Sequence, residues 1–192
     1  MSGTVKHWMI ATLLVAVFFH APAMAGETVA EPSDYRMEEY RAPVPAALQG
    51  AQVISTKDAA VLLEKKQAIF FDVMPHTPKP AKLPAGTIWR EKVRKNIPGS
   101  IWLPNVGYGA ISKDDSVYFR NSLLSQTGDD KARTILFYCM TDCWMSWNAA
   151  KRAIEWGYAS VLWYPLGADG WEAAGRSLTE AKPHMELPSK SQ

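Results

Sequence analysis

The 192-residue chain has only two cysteines, too few for a disulfide scaffold, and a chain of this length needs no such scaffold to build a core. It also lacks a strong charge of either sign. Lys and Arg number 21 against 19 Asp and Glu, for a net charge of +2, which leaves no electrostatic footprint for nucleic acid. Beyond residue 25 no apolar run approaches a membrane-spanning length. Histidine is scarce as well. After the N-terminal segment only His76 and His184 remain, neither near the cysteines in sequence, so no metal centre and no c-type haem site is expected. The chain contains no internal repeat.

What is present begins with an address. Lys6 and His7 precede an apolar run from Trp8 to Phe19, and Ala23-Met24-Ala25 supplies a small-x-small cleavage signal before Gly26. Residues 1–25 read as a secretory signal peptide, and the remainder as one domain exported to the periplasm. Cleavage would leave no stable membrane span. Residues 26–50 read as an extended N-terminal arm, because Asp34 to Pro45 mixes aromatics with Pro-x-Pro. Residues 51–178 form the domain proper, and 179–192 a polar C-terminal tail, frayed from Pro183.

Within the domain, apolar runs alternate with helical patterns. Ala51 to Ser55 reads as a first strand, and Lys57 to Lys66 as a helix capped by Ser55 and Thr56, with Ala60, Val61 and Leu63 near one face. Ala68 to Val73 reads as a strand covered on both faces and carrying Asp72 at its end. Met74 to Lys95 is a long irregular stretch rich in proline and lysine, the kind of loop that is functional or inserted. A turn and short strand follow at Asn96 to Pro104. Asp114 or Asp115 would cap a helix from Ser116 to about Gln126, with Val117, Leu123 and Leu124 inward. Thr134 to Tyr138 is another buried strand, then comes a helix ending at Trp156-Gly157. Ala159 to Tyr164 reads as the last strand and Asp169 to Ala174 as a short closing helix. Alternation of this kind means an α/β domain with a mostly parallel sheet, whose ligand sites lie at the carboxyl ends of the strands. Asp72 and Cys139 both fall on that rim.

Both cysteines sit between the strand at Tyr138 and the following helix, in Cys139-Met-Thr-Asp-Cys143-Trp144. A helix N-terminus and neighbouring cations can bring a thiol from about 8.5 to roughly 3.5–7.5. The four-residue spacing would set the Cβ atoms about 5–6 Å apart on a regular helix, whereas a disulfide needs about 3.5–4.5 Å. Closure therefore requires the loop to curl before the helix begins. Such a bridge encloses only three residues and stabilises the fold little. That favours a reversible pair, in which one thiol attacks and the other resolves, over a static crosslink. Two thiolates would also suit a soft ion such as Cu(I), although no histidine is at hand to complete a site.

Phe71-Asp72-Val73, Asn96-Ile-Pro-Gly-Ser-Ile-Trp-Leu-Pro104, Phe137-Tyr-Cys139 and Ala149 to Tyr158 with Gly170-Trp171 resemble a rhodanese domain in order and spacing. The resemblance covers roughly Val53 to Gly175. It implies a rhodanese-like single domain with a central, mostly parallel five-stranded sheet and helices on both faces. It also implies that Cys139 is the nucleophile and that Asp72 ends a strand on the same rim, as a loop-positioning residue or an acid catalyst. Cys143 is a second thiol outside the ordinary pattern, and its spacing makes it the candidate resolving thiol. The loop departs from the ordinary rhodanese pattern by lacking an arginine and by adding an acid, Asp142, which puts thiosulfate turnover in doubt.

More narrowly, Tyr40-Arg-Ala-Pro-Val-Pro45, Trp89-Arg90, Ile101 to Asn105, Cys143-Trp-Met-Ser-Trp-Asn148 and Trp163-Tyr-Pro resemble the exported Cys…Cys-Trp motif proteins associated with PQQ-dependent catabolism. That resemblance implies a role around periplasmic quinoprotein alcohol dehydrogenases and their transport systems, and supplies no reaction. The two-thiol loop on a rhodanese-like frame points to cysteine-based sulfur transfer or thiol–disulfide exchange in support of PQQ-dependent alcohol oxidation. The alternative is a non-catalytic accessory that binds a quinoprotein alcohol dehydrogenase, its cofactor or its transport components through the aromatic and basic rim. No tightly bound cofactor is expected, and PQQ itself is a candidate association. Trp144 and Trp147, near Trp163 and Tyr164, are either core or an aromatic wall for a planar ligand. Arg90 and Arg94, in a basic run with Lys92 and Lys95, are candidates for an anion.

Overall fold

A computed structural model describes residues 29–77, 79–80, 82–90 and 92–184. The segment read as a signal peptide lies outside them. The elements in order are β1 (Ala51–Val53), α1 (Thr56–Glu64), β2 (Ile69–Asp72), β3 (Arg94–Asn96), β4 (Ile101–Trp102), α2 (Lys113–Thr127), β5 (Ile135–Tyr138), α3 (Trp144–Glu155), β6 (Val161–Tyr164), α4 (Gly167–Ala173) and β7 (Thr179–Ala181). Five strands form one sheet in the order β1-β6-β5-β2-β4, and each neighbouring pair is parallel. β3 and β7 form a separate antiparallel pair.

Because successive residues of a strand face opposite ways, each central strand feeds two cores. Phe71, Phe137 and Trp163 pack with Phe119 and Leu123 of α2 and Trp147 and Ala150 of α3. Their neighbours Phe70, Leu136 and Leu162 pack on the other face with Ala59 and Ala60 of α1 and Ala168 and Trp171 of α4. This two-sided burial explains why the strands read as unbroken apolar runs rather than alternating ones. Each such large apolar side chain contributes about 1.5–3 kcal/mol by leaving water. The outcome is the sheet covered by helices on both faces that the sequence leads one to expect.

Local expectations differ from the fold at several points. α1 is capped by Ser55, whose hydroxyl accepts from the Asp58 amide, but Val61 faces solvent and Ala59 is the buried partner of Ala60. α2 begins earlier than the aspartates imply. Ser112 is its cap, accepting from the Asp115 amide, and Asp114 and Asp115 lie in its first turn, where acids favour the positive end of the helix dipole. Its inward residues are Tyr118, Phe119 and Leu123, while Val117 and Leu124 are exposed. Starting one turn earlier does not change the periodicity. Val117 and Leu124, seven residues apart, share the face opposite the buried Tyr118, Phe119, Ser122 and Leu123.

β6 is not the last strand, and α4 does not close the chain. The stretch read as a polar tail supplies β7, which pairs with β3 in the long loop. Pro183 bridges to Trp102, and the His184 amide donates to the Trp102 carbonyl at 2.8 Å. Composition gave no sign of this docking, because β7 is Thr-Glu-Ala and its pairing is carried by backbone.

Candidate functional site

The loop between β5 and α3 curls, and the curl brings the two sulfurs together. Cys139 and Cys143 form a disulfide with Cα atoms 6.2 Å apart. Asp142 takes a left-handed conformation, φ 53°, which aspartate tolerates better than most residues. Asp142 is exposed, so the added acid turns the backbone rather than facing the sulfurs. Helix α3 starts only after Cys143, its N-cap, which makes no side-chain capping bond. The geometric condition for closure, a curl ahead of the helix, is met.

The surrounding chain holds this curl from three directions. The Ala168 amide donates to the Cys139 carbonyl at 3.1 Å. Gly167 is needed there, because a Cβ at that position would meet the Cys139 carbonyl carbon and oxygen at 2.7 Å. The Thr141 hydroxyl donates to the Leu166 carbonyl at 2.9 Å and the Thr141 amide to Asp169 Oδ2 at 3.2 Å. From the N-terminal arm, the Tyr40 carbonyl accepts from the Trp144 amide at 2.9 Å, and Arg41 forms an isolated antiparallel bridge with Cys143. Behind the loop, the Ser146 hydroxyl donates to the Cys143 carbonyl at 3.0 Å and accepts from Trp163 Nε1 at 3.0 Å. Two of the amides that would have favoured a thiolate, those of Thr141 and Trp144, are thus already engaged.

Arg94 supplies the cation that the loop itself lacks. It comes from β3, 45 residues before Cys139, and donates through Nε to Asp72 Oδ2 at 2.7 Å. A second guanidinium nitrogen lies 3.4 Å from the Cys139 carbonyl oxygen. Asp72 ends β2 with no solvent exposure, and its other oxygen accepts from the Met74 amide at 2.9 Å. Burial pushes the Asp72 carboxyl above the ordinary carboxylate range, while the Arg94 guanidinium and the Met74 amide pull it back. Asp72 therefore anchors Arg94 and the turn at Met74. Tyr138, at the end of β5, accepts the Ile97 amide at 2.9 Å, and burial followed by the Asp72 charge drives its phenol well above the usual range.

A cavity of about 370 Å³ opens above this rim, between the long loop and α4. Trp89 and Trp102 form its aromatic sides, Arg90, Lys92, Arg94 and Lys95 its basic wall, and Asp169 and Glu172 an acidic edge. Met74 and Met140 form part of its lining, but neither cysteine does. Cys139 is fully buried and Cys143 is 2% exposed. Met74 Sδ lies 3.6 Å from Cys139 Sγ, so the Met74 side chain separates the sulfur from the cavity.

Of the residues singled out from sequence, Cys139, Cys143, Asp72 and Arg94 meet at one place, and Arg90 lies on the cavity wall beside them. Trp144 and Trp147 do not. Both are buried, and their indole N–H groups donate to the Pro43 and Ala47 carbonyls of the arm at 3.1 and 3.3 Å. They are core that clamps the arm on α3, and the aromatic sides of the cavity come from Trp89 and Trp102. Sequence reasoning missed Met74, Asp169 and Arg41. Only Met74 had a signal, its place just past a strand ending on the ligand rim.

A family model described as "Rhodanese-like domain" matches residues 55–174. No curated protein matches the chain. Among solved structures, an uncharacterized protein from Saccharomyces cerevisiae is 22% identical with a TM-score of 0.41, over 65% of this chain and 93% of that one. A thiosulfate sulfurtransferase from Pseudomonas aeruginosa is 16% identical with a TM-score of 0.46, over 69% of this chain but 21% of that one. A polysulfide-sulfur transferase homodimer from Wolinella succinogenes is 18% identical with a TM-score of 0.41, over 71% of this chain and 84% of that one.

Proposed function

This chain belongs to the rhodanese-like domain family, and from that premise we propose that it is an exported thiol–disulfide exchange protein working through Cys139 and Cys143. The observation that carries this reading is the disulfide itself, closed in a three-residue loop at the carboxyl rim of the sheet. A sulfurtransferase needs one thiolate free to carry a persulfide. Here a second thiol stands within bonding distance and would displace any sulfur loaded on Cys139, giving the disulfide. Balanced, the exchange is simple. A substrate dithiolate attacks one sulfur of the pair, a mixed disulfide forms, and the second substrate thiol releases the reduced pair as the substrate becomes a disulfide.

In this reading Cys139 is the sulfur that faces the substrate side, since the Met74 side chain that lines the cavity lies 3.6 Å from it. Arg94 stabilises the thiolate left on reduction, Asp72 holds Arg94, and Arg90 draws in an anionic group. The setting follows from the Cys…Cys-Trp resemblance: a periplasmic protein supporting PQQ-dependent alcohol oxidation, with a quinoprotein dehydrogenase or its transport components as the partner. The test is mass spectrometry of the protein after challenge with a dithiol and, separately, with thiosulfate or polysulfide. Exchange is expected to give a reduced pair with the dithiol and no stable extra sulfur with either donor. A lasting persulfide on Cys139 would replace exchange by sulfur transfer.

A further inference from the structure

We propose that the reduced chain binds one Cu(I) ion through Cys139 Sγ, Cys143 Sγ and Met74 Sδ. In a trigonal site with metal–sulfur bonds of roughly 2.3 Å, the ligand sulfurs stand about 4 Å from one another. The Met74–Cys139 pair is already at 3.6 Å, so only Cys143 Sγ has to move, by swinging off Cys139 as the disulfide opens. Met74 is fixed for this role by its backbone. Its amide donates to Asp72 Oδ1 at 2.9 Å and its carbonyl accepts from Trp102 Nε1 at 2.7 Å.

The donor set selects the metal. No group of three His, Cys, Asp or Glu side chains gathers anywhere among the described residues, so the four-donor site that zinc prefers is not assembled. Asp72 is committed to Arg94 and the Met74 amide. Met140, the other methionine at the loop, has its sulfur 3.0 Å from Arg41 Nη1. What remains is two thiolates and one thioether, a soft low-coordinate set that suits Cu(I). Two thiolates and one Cu(I) leave a single negative charge, which Arg94 and Arg41 flank on either side of the loop.

The chemistry balances without oxidising or reducing the metal. A dithiol reductant supplies two electrons and two protons to open the disulfide and is itself oxidised to a disulfide. Cu(I) then displaces the two thiol protons into solvent. This inference does not rest on the exchange reaction above, since either can hold without the other.

The full chain, reduced with a phosphine and freed of it under argon, is titrated with Cu(I) against a chromophoric Cu(I) chelator. One Cu(I) per reduced chain is expected to leave the chelator, and none for the oxidised chain, with three sulfur neighbours in X-ray absorption. Met74→Leu is expected to weaken competition at least tenfold and lower the sulfur count to two while keeping the wild-type circular dichroism. Copper remaining wholly on the chelator, or two sulfurs only in the wild-type spectrum, would overturn the proposal. So would displacement of the bound ion by equimolar Zn(II).

Discussion

Arg94 Nε donates to Asp72 Oδ2 at 2.7 Å across 22 residues of irregular chain, and Asp72 has no exposure to water. One buried ion pair thereby ties the long loop to the end of β2, directly behind the disulfide. Removing one partner leaves a buried charge uncompensated, which costs about 3–5 kcal/mol. Arg94→Met should lose that much in urea denaturation. Adding Asp72→Asn to it should recover part of the loss, because the neutral amide can still accept from the Met74 amide. A double variant less stable than Arg94→Met would mean that Asp72 is not held as the ion of that pair.

Met74 stands between Cys139 Sγ and the cavity, and reductants reaching the sulfur from that side must pass it. Met74→Ala is expected to raise the rate constant for disulfide reduction by a bulky phosphine at least tenfold, and Met74→Phe to lower it. The rates are read by trapping free thiols with time. Equal rates in all three proteins would place the route elsewhere.

Buried phenols set the alkaline limit of the fold. Burial raises the phenols of Tyr118 and Tyr138 above their ordinary 10.0. In the unfolded chain both titrate near 10, so between that pH and their folded values the native state holds more protons. Stability is therefore full below pH 10 and falls as the pH rises through the folded values. Phenolate absorbance should rise in two stages, exposed tyrosines first and these two only together with loss of near-ultraviolet circular dichroism. A single stage near pH 10 in a folded protein would contradict their burial.

The bridge should matter little to stability. Chain entropy assigns a loop this short about 2 kcal/mol, against a core with many buried large apolar side chains. The reduced protein is expected to stay folded at room temperature, with an unfolding free energy lowered by no more than that amount in urea denaturation. Unfolding on reduction would make the pair a structural crosslink.

The sheet was legible in the sequence because β2, β5 and β6 are buried on both faces and so appear as unbroken apolar runs. The rim positions of Asp72 and Cys139 follow from the same rule, and the need for a curl before α3 follows from helix geometry alone. The docking of β7 and His184 was not legible, since backbone hydrogen bonds leave no side-chain pattern. The role of Trp144 and Trp147 was ambiguous for a related reason. An indole near a reactive loop reads the same whether it faces a ligand or, as here, donates its N–H to an arm about 100 residues earlier in the chain. Asp142 misled by its charge, because its place is set by a left-handed turn. Arg94 could be named as a rim cation but not as the partner of Asp72, because the loop between them has no periodicity to trace.

The most direct test is the reduction potential of the Cys139–Cys143 pair. The protein is equilibrated against graded dithiol–disulfide buffers, and the alkylated thiols are counted by mass. A working exchange pair is expected to titrate reversibly, with a midpoint more positive than about −300 mV, the level below which structural disulfides in exported proteins resist the glutathione pool. A pair that stays oxidised at that potential, or that does not re-form once reduced, would contradict the exchange reading.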